Sequence, residues 1–162
     1  MAYFPFFVEI ENEKGLIVGG GRIAAHKVEK LLPFGVYLTV VAPEILPVLK
    51  DNSAISCLER HFSDSDVEDC RFVIAASDDV ELNHHISALC KKKGILVNVV
   101  DDKEACSFLF PALIKEGKLT AGISTAGASP QVAASIRSQM AAELPNQMEK
   151  ILDELNDLRE NA

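Results

Sequence analysis

An apolar run that stops on three consecutive glycines and passes at once into helix-forming residues constrains this chain more than any other stretch. It reads Leu-Ile-Val-Gly-Gly-Gly-Arg-Ile-Ala-Ala over residues 16–25. Gly19, Gly21 and Ala24 fit the spacing G-x-G-x-x-G/A. In that pattern the first glycine makes the turn from strand to helix, the second lets the backbone approach a pyrophosphate, and a small third residue lets helix pack on strand. The phosphates then sit on unpaired N–H groups at the helix N-terminus. Glycine triplets also occur in ordinary turns, so the flanking pattern has to support the dinucleotide reading.

The pattern does support it, because strand and helix signals alternate. Gly15–Val18 reads as a short buried strand, and residues 23–32 carry helical apolar spacing at Ile23, Val28, Leu31 and Leu32. Tyr37–Val41 is apolar and β-branched, with Pro43 stopping it. Ala54–Leu58 is a weaker third strand, Phe72–Ala76 a fourth, Val80–Lys93 a helix and Ile95–Val100 a fifth strand. Near-continuous apolar strands separated by helices imply a parallel sheet covered on both faces, a doubly wound α/β fold. After Asp102 the texture changes. Ser107–Ile114 and Leu119–Ser124 read as a hairpin-like pair around Lys115–Lys118. Ser129 as N-cap and Pro130 at the first helical position then open a helix to about Glu143. A last helix, about Asn146–Arg159, places Met148, Ile151, Leu152, Leu155 and Leu158 on one face. The expected division is a nucleotide-binding domain over 1–113 and a small α/β extension over 114–162.

Composition narrows the partners. A net charge of −8 over 162 residues disfavours general nucleic-acid binding, and an anionic substrate would need a local basic patch. The apolar runs are too short to span a bilayer, and the first residues have no basic region of the kind that opens a secretion signal. Cys57, Cys70, Cys90 and Cys106 form no C-x-x-C pair and read as reduced, buried thiols of a cytoplasmic protein.

Ligands of an open α/β sheet bind outside the carboxyl ends of its strands, which directs attention to four segments. The acidic residue that usually follows the second strand and holds a ribose is missing. That strand ends Val41-Ala42-Pro43, with Glu44 just beyond, so backbone around Ala42 and Pro43 would line that part of the pocket. Ala75-Ala76-Ser77-Asp78 closes the fourth strand with small residues. Ser77 or Asp78 could cap the next helix as well. Asn98-Val99-Val100-Asp101-Asp102 closes the fifth; a carboxylate there can accept a proton near a nicotinamide, or both aspartates can be turn residues. Thr125–Pro130 is a hydroxyl-rich loop that opens a helix, either a second anion site or simply a capped loop. Lys103 and Arg137 are candidate partners for substrate carboxylates, or ordinary surface charges. His84 and His85 suit helix packing or solvation, His26 an exposed position, and none has metal-ligand spacing.

Read in order, Phe6–Glu9 ahead of the glycine turn, Ala75-Ala-Ser-Asp-Asp79, Asn98-Val-Val-Asp101, Ala105-Cys-Ser-Phe-Leu-Phe-Pro111 and Ser124-Thr-Ala-Gly-Ala-Ser-Pro130 resemble the precorrin-2 dehydrogenases, the NAD-dependent modules of sirohaem synthases. The resemblance covers nearly the whole chain. It implies a Rossmann domain followed by a dimerisation region, hence a homodimer, and oxidation of precorrin-2 to sirohydrochlorin with NAD⁺ as acceptor. Some members also insert Fe²⁺, with the residue matching Asp101 serving both activities and so the candidate for any metal step. Arg22, Ile23, Ala42 and Pro43 match positions that contact NAD in the family, and Gly19, Gly21, Ala76, Ser77 and Val99 complete the expected cofactor site. Lys103, Ser124, Thr125, Ser129 and Arg137 are the expected substrate contacts, with Arg22 and Lys115 as further local cations. Many members run on through a longer helical segment or a methyltransferase domain. This chain has one helix beyond Pro145, from which no methyltransferase activity and a reduced substrate lid are expected. An NAD(H)-sensing regulatory domain is the competing reading, though such a domain should carry the acidic residue after its second strand. A dimerising NAD-binding relic without activity is the third.

Overall fold

The computed structural model describes residues 3–145 and 147–160. They form two compact units, Phe4–Phe108 and a second containing Leu109 onward.

The first unit is a five-stranded parallel sheet. Its strands are β1 (Lys14–Val18), β2 (Tyr37–Ala42), β3 (Ile55–Glu59), β4 (Phe72–Ala75) and β5 (Leu96–Val99), in the order β3-β2-β1-β4-β5. Every pairing is parallel, with Ile17 beside Val40 on one side and Ile74 on the other. The apolar runs explain this. Side chains alternate between faces along a strand, and both sets are buried here. Leu16, Val18, Val73, Ala75, Val97 and Val99 share one core with Ile86 and Cys90 of α3 (Val80–Lys93), while Ile17, Val40 and Ile74, of the opposite parity, are also fully buried. A strand buried on both faces has no polar alternation to display.

The helices begin and end where their local chemistry dictates. Helix α1 (Arg22–Leu31) buries Ala24, Val28 and Leu31 and runs into a short 3₁₀ turn, Leu32–Phe34, closed by Gly35 at φ +66°. Helix α3 starts on Asp79, whose carboxylate accepts from the Leu82 N–H at 3.0 Å, and ends on Gly94 at φ +72°, with Lys91, Lys92 and Lys93 in its last turn. Both ends satisfy the helix dipole and its unpaired groups. The cap is thus Asp79 rather than Ser77 or Asp78; Ser77 Oγ instead accepts from the Asp79 N–H at 3.0 Å and shapes the approach. Three elements fall outside the sequence-based expectation: the 3₁₀ turn Leu32–Phe34, the single-turn helix α2 (Pro47–Lys50) and a 3₁₀ turn at Asp64–Val67.

The second unit pairs β6 (Ala112–Glu116) and β7 (Leu119–Ile123) as an antiparallel hairpin turning at Gly117, φ +53°. Helices α4 (Pro130–Glu143) and α5 (Met148–Glu160) follow. The strand expected from Ser107 begins only at Ala112. Ser107 uses its hydroxyl and its N–H on the Val97 backbone, and Pro111 has no N–H to give to a ladder. The start expected for the last helix, Asn146, lies outside the described residues. Ala133 and Ile114 are this unit's buried apolar residues among those described.

Candidate functional site

The strand order reverses direction at β1, with β2 and β3 on one side and β4 and β5 on the other. A crevice opens at such a switch point, outside the carboxyl ends of the strands. The glycine turn lies in it. The Gly19 N–H donates to the Val41 carbonyl at 2.9 Å and the Ala76 N–H to the Val18 carbonyl at 2.8 Å, so the ends of β2 and β4 grip the turn from both sides. Gly19 has φ +127°, and a Cβ there would collide with the Ala76 carbonyl. Gly20 is equally hemmed in, by the Glu44 carbonyl, and its own carbonyl accepts from the Leu46 N–H at 2.9 Å. Gly21 differs. Nothing lies within 4 Å of where its Cβ would point, so the space above it is open.

That opening is where an anion belongs. Gly21 is the N-cap of α1 and provides no side-chain cap, and the first turn carries no acidic residue. The N–H groups of a first helical turn have no intrahelical partners, and here no carboxylate competes for them. Arg22 and Ile23 are exposed at the same place. Ala42 is buried at the end of β2, Pro43 is exposed beyond it, and Ala76 and Ser77 are half-buried at the end of β4. Ser77 is fixed by Asn83, which accepts from its N–H at 3.3 Å and donates to its carbonyl at 2.8 Å. Two glycines that cannot carry a Cβ, a third facing open space, an uncapped helix end and a rim of small residues fit a dinucleotide's pyrophosphate and sugars.

The end of β5 carries the chemistry-bearing groups. Asp101 is exposed, two residues past Val99, with its backbone in the left-handed region at φ +60°. Asp tolerates that region better than most residues. Its neighbour Asp102 is anchored, accepting from His84 Nε2 of α3 at 2.7 Å (the imidazole donating) and from the Ala105 N–H at 3.1 Å. The His84 hydrogen bond, with that from Ala105, holds the Asp102 carboxyl below its ordinary range. So of the paired aspartates one is tied down as a turn residue and the other is left facing outward.

A network beneath them holds the loop in place. Cys106 Sγ accepts from the Val99 N–H at 3.1 Å and from Asn98 Nδ2 at 3.4 Å, and the thiol lies 3.3 Å from the Val99 carbonyl and 3.2 Å from that of Asp102. Asn98, buried, also donates to the Phe108 carbonyl at 3.1 Å. Burial pushes the Cys106 thiol upward, so it serves as a neutral group in this network. Lys27 of α1 is half-buried nearby. Desolvation lowers its pKa, and the nearby Cys106 and Asp101 side chains act in the opposite direction. A cation on the cofactor-side helix therefore lies within electrostatic reach of Asp101. The sequence reading did not single out Lys27 or Asn83, and it named Cys106 only as a buried reduced thiol and as part of the Ala105–Pro111 segment, without the role it plays here. A lysine interleaved with the buried positions Ala24, Val28 and Leu31 is the signal that could have flagged the first.

The remaining expected residues divide between the units. Lys103 is half-buried in the first, on the loop after Asp102. Ser124, Thr125, Ser129 and Arg137 are in the second. There the hydroxyls serve their own loop. Thr125 Oγ1 donates to the Ser129 carbonyl and accepts from its N–H, both at 3.0 Å, Ser124 Oγ accepts from the Ala126 N–H, and Ser129 Oγ caps α4 through the Val132 N–H at 3.3 Å. Arg137 donates to Ser138 Oγ at 2.9 Å. His26 is exposed beside Glu29, and His85 is paired with Asp64 at 2.7 Å. Among the described residues no three His, Cys, Asp or Glu side chains are placed to hold a metal ion, and no helix is long and apolar enough to cross a membrane.

Comparison with known proteins agrees with this geometry. A family model described as "Putative NAD(P)-binding" matches residues 6–112. Among curated relatives, the sirohaem synthase of Thioalkalivibrio sulfidiphilus is 40% identical over 148 residues, covering 90% of this chain and 30% of that protein. The sirohaem synthase of Photorhabdus laumondii is 41% identical over 151 residues, covering 91% and 32%. The chain thus spans about a third of the length of these relatives. Among solved structures, one titled "SirC, precorrin-2 dehydrogenase" superposes with a TM-score of 0.84 at 23% identity, over 97% of this chain and 79% of that one. The fold is therefore Rossmann-like, and with the model covering most of its length the chain belongs to the NAD(P)-binding family.

Proposed function

We propose that this chain is an NAD-dependent precorrin-2 dehydrogenase, oxidising precorrin-2 to sirohydrochlorin in sirohaem biosynthesis. The observation that carries the reading is the placement, within one unit, of an uncapped glycine turn and an outward-facing Asp101 at the same carboxyl edge of the sheet. The names of the matched sirohaem synthases and of the superposed dehydrogenase support the substrate class. They also weigh against a purely regulatory nucleotide-sensing domain.

NAD⁺, when bound, supplies the two-electron acceptor. The chain supplies position and proton handling. Amides of the first α1 turn and Arg22 hold the pyrophosphate. Ile23, Ala42, Pro43, Ala76, Ser77 and Val99 line the rest of the cofactor site. Asp101 takes the proton lost when the tetrapyrrole surrenders a hydride. Lys103 pairs with a substrate carboxylate. In the second unit Ser124, Thr125 and Ser129 of the loop before α4, and Arg137 on α4, contact the substrate's anionic groups. Iron insertion, which the resemblance implies for some members, would fall to the same Asp101.

A homodimer fits the apolar faces that α4 and α5 leave exposed, and a cytoplasmic setting fits four cysteines that are all free. The test is anaerobic incubation with precorrin-2 and NAD⁺, following NADH and sirohydrochlorin absorbance. Wild type should generate both. Asp101→Asn should lose about two orders of magnitude in rate while keeping its NAD affinity. No NADH from wild type would overturn the reading, and full activity in the variant would remove Asp101 from its role.

A further inference from the structure

In dinucleotide-binding folds the end of the second strand decides between two cofactors. An acidic residue there holds the 2′-hydroxyl of NAD, whereas an arginine nearby accommodates the 2′-phosphate of NADP. This chain has Ala42 and Pro43 at that point, so the usual acidic discriminator against the 2′-phosphate is missing. The neighbouring strand brings cations to the same edge. The register pairs Ala42 with Glu59, so Pro43 and Arg60 leave the sheet from adjacent strands at its carboxyl end. Lys50 of α2 reaches the same place through Glu59. An arginine and a lysine beside a ribose edge whose strand ends without an acid, Glu44 lying two residues on, would ordinarily invite a phosphate.

Both cations are already engaged. Arg60 makes a two-pronged pair with Asp66, Nη1 to Oδ2 at 2.8 Å and Nη2 to Oδ1 at 2.6 Å, and Nη1 also donates to the His61 carbonyl at 2.9 Å. Asp66 is itself held. Its Oδ2 accepts from the Ser63 N–H at 2.8 Å, closing a reciprocal capping box over the 3₁₀ turn, and its side chain is only 9% exposed. Lys50 Nζ lies 3.2 and 3.4 Å from the two carboxylate oxygens of Glu59. A bidentate arginine–carboxylate pair fixes the planar fork of the guanidinium in one direction. Any 2′-phosphate would have to displace a carboxylate already seated there.

We infer that Asp66, by holding Arg60, together with Glu59 on Lys50, is the device that excludes NADP and makes this site select NAD. Selection works by occupying the phosphate-binding cations instead of placing an acid against the ribose. The inference rests on the dinucleotide reading of the glycine turn and adds to it the residues that set cofactor choice.

Calorimetric titration with NAD⁺ and with NADP⁺ tests it on the wild type, Asp66→Asn, the double variant Asp66→Asn/Arg60→Ala, and Glu59→Gln. Asparagine keeps an oxygen for the Ser63 N–H while removing the charge. Wild type should bind NAD⁺ more tightly than NADP⁺. Asp66→Asn should tighten NADP⁺ by about tenfold, with NAD⁺ shifted by no more than about twofold, and the added Arg60→Ala should remove the gain. Glu59→Gln, which leaves the capping box intact, should move NADP⁺ in the same direction by less, and it carries the test if Asp66→Asn does not fold. An unchanged NADP⁺-to-NAD⁺ ratio in the folded variants overturns the inference while leaving the cofactor reading standing, as does a gain that survives loss of Arg60. A wild type that binds neither nucleotide overturns the cofactor reading itself.

Discussion

The two units treat their apolar residues in opposite ways. In the sheet unit Ile17, Val40, Val73, Ile74, Ile86 and Val97 are completely buried, and β1, β4 and β5 are covered on both faces beyond their first residues, while the edge strand β3 and the leading Phe4, Phe6 and Phe7 stay exposed. In the second unit Val132, Ile136 and Met140 recur at helical spacing along α4 and are exposed, as are Ile151, Leu155 and Leu158 of α5. The first unit completes its own core. The second has a hairpin and two helices, too little surface to enclose what it carries, and it leaves these apolar residues of α4 and α5 uncovered. The sequence expectation of one apolar face on α5 is thus right about spacing, while the burial it suggests is not found within the chain.

The contrast can be broken at several points. The largest effect is expected at Gly19, where any side chain strains a backbone at φ +127° and meets the Ala76 carbonyl. Gly19→Ala should lower NAD affinity by more than about a hundredfold, measured by titration. Retained affinity would mean that the turn does not seat the cofactor. Next come matched deletions in the two units. Ile86→Ala should cost about 3 kcal/mol or more in denaturant unfolding, because it empties a closed core. Ile136→Ala should change dilute unfolding by no more than about 0.5 kcal/mol and instead weaken self-association in sedimentation. Equal unfolding costs would erase the distinction between a closed and an open unit. The smallest effect concerns Asp102. Its carboxyl is lowered by His84 and by backbone N–H groups, so its contribution is complete above the unfolded value of about 3.9 and is lost as pH falls through the lower folded value. Amide protection in the 101–106 loop, corrected for the intrinsic pH dependence of exchange, should therefore fall only on acidification below about pH 4, and His84→Ala should shrink that step without removing the part owed to the backbone N–H groups.

What was legible beforehand follows the same divide. Strands β1, β2, β4 and β5 announce themselves as uninterrupted apolar runs, and Val80–Lys93 emerges with both ends as observed. Such elements owe their type to local composition and burial, which a sequence displays. Helix α2 is a single turn, too short for periodicity to register. The strand expected at Ser107 failed because side-chain bonds to Val97 pre-empt a ladder, and those partners are ten residues apart. Long-range pairing also hid the site's finer parts. Lys27 lies within the influence of Asp101, His84 grips Asp102, and Arg60 is occupied by an aspartate around a turn; each partner looks like an ordinary surface charge until the fold joins them. The carboxyl-edge position of Asp101 could be read from the end of β5, but which aspartate is anchored and which faces outward could not.

The left-handed backbone of Asp101 has a consequence for how this position can change over time. At φ +60° only glycine, asparagine and aspartate sit without appreciable penalty. Asn and Gly are each one nucleotide away from an aspartate codon, and both lack the charge. A lineage in which the reaction ceased to matter could therefore lose its carboxylate silently, with the loop, the sheet and the nucleotide seat all preserved. If Asp101 takes the proton as proposed, the residue at this position, more than the shape around it, is the record of whether a descendant still works.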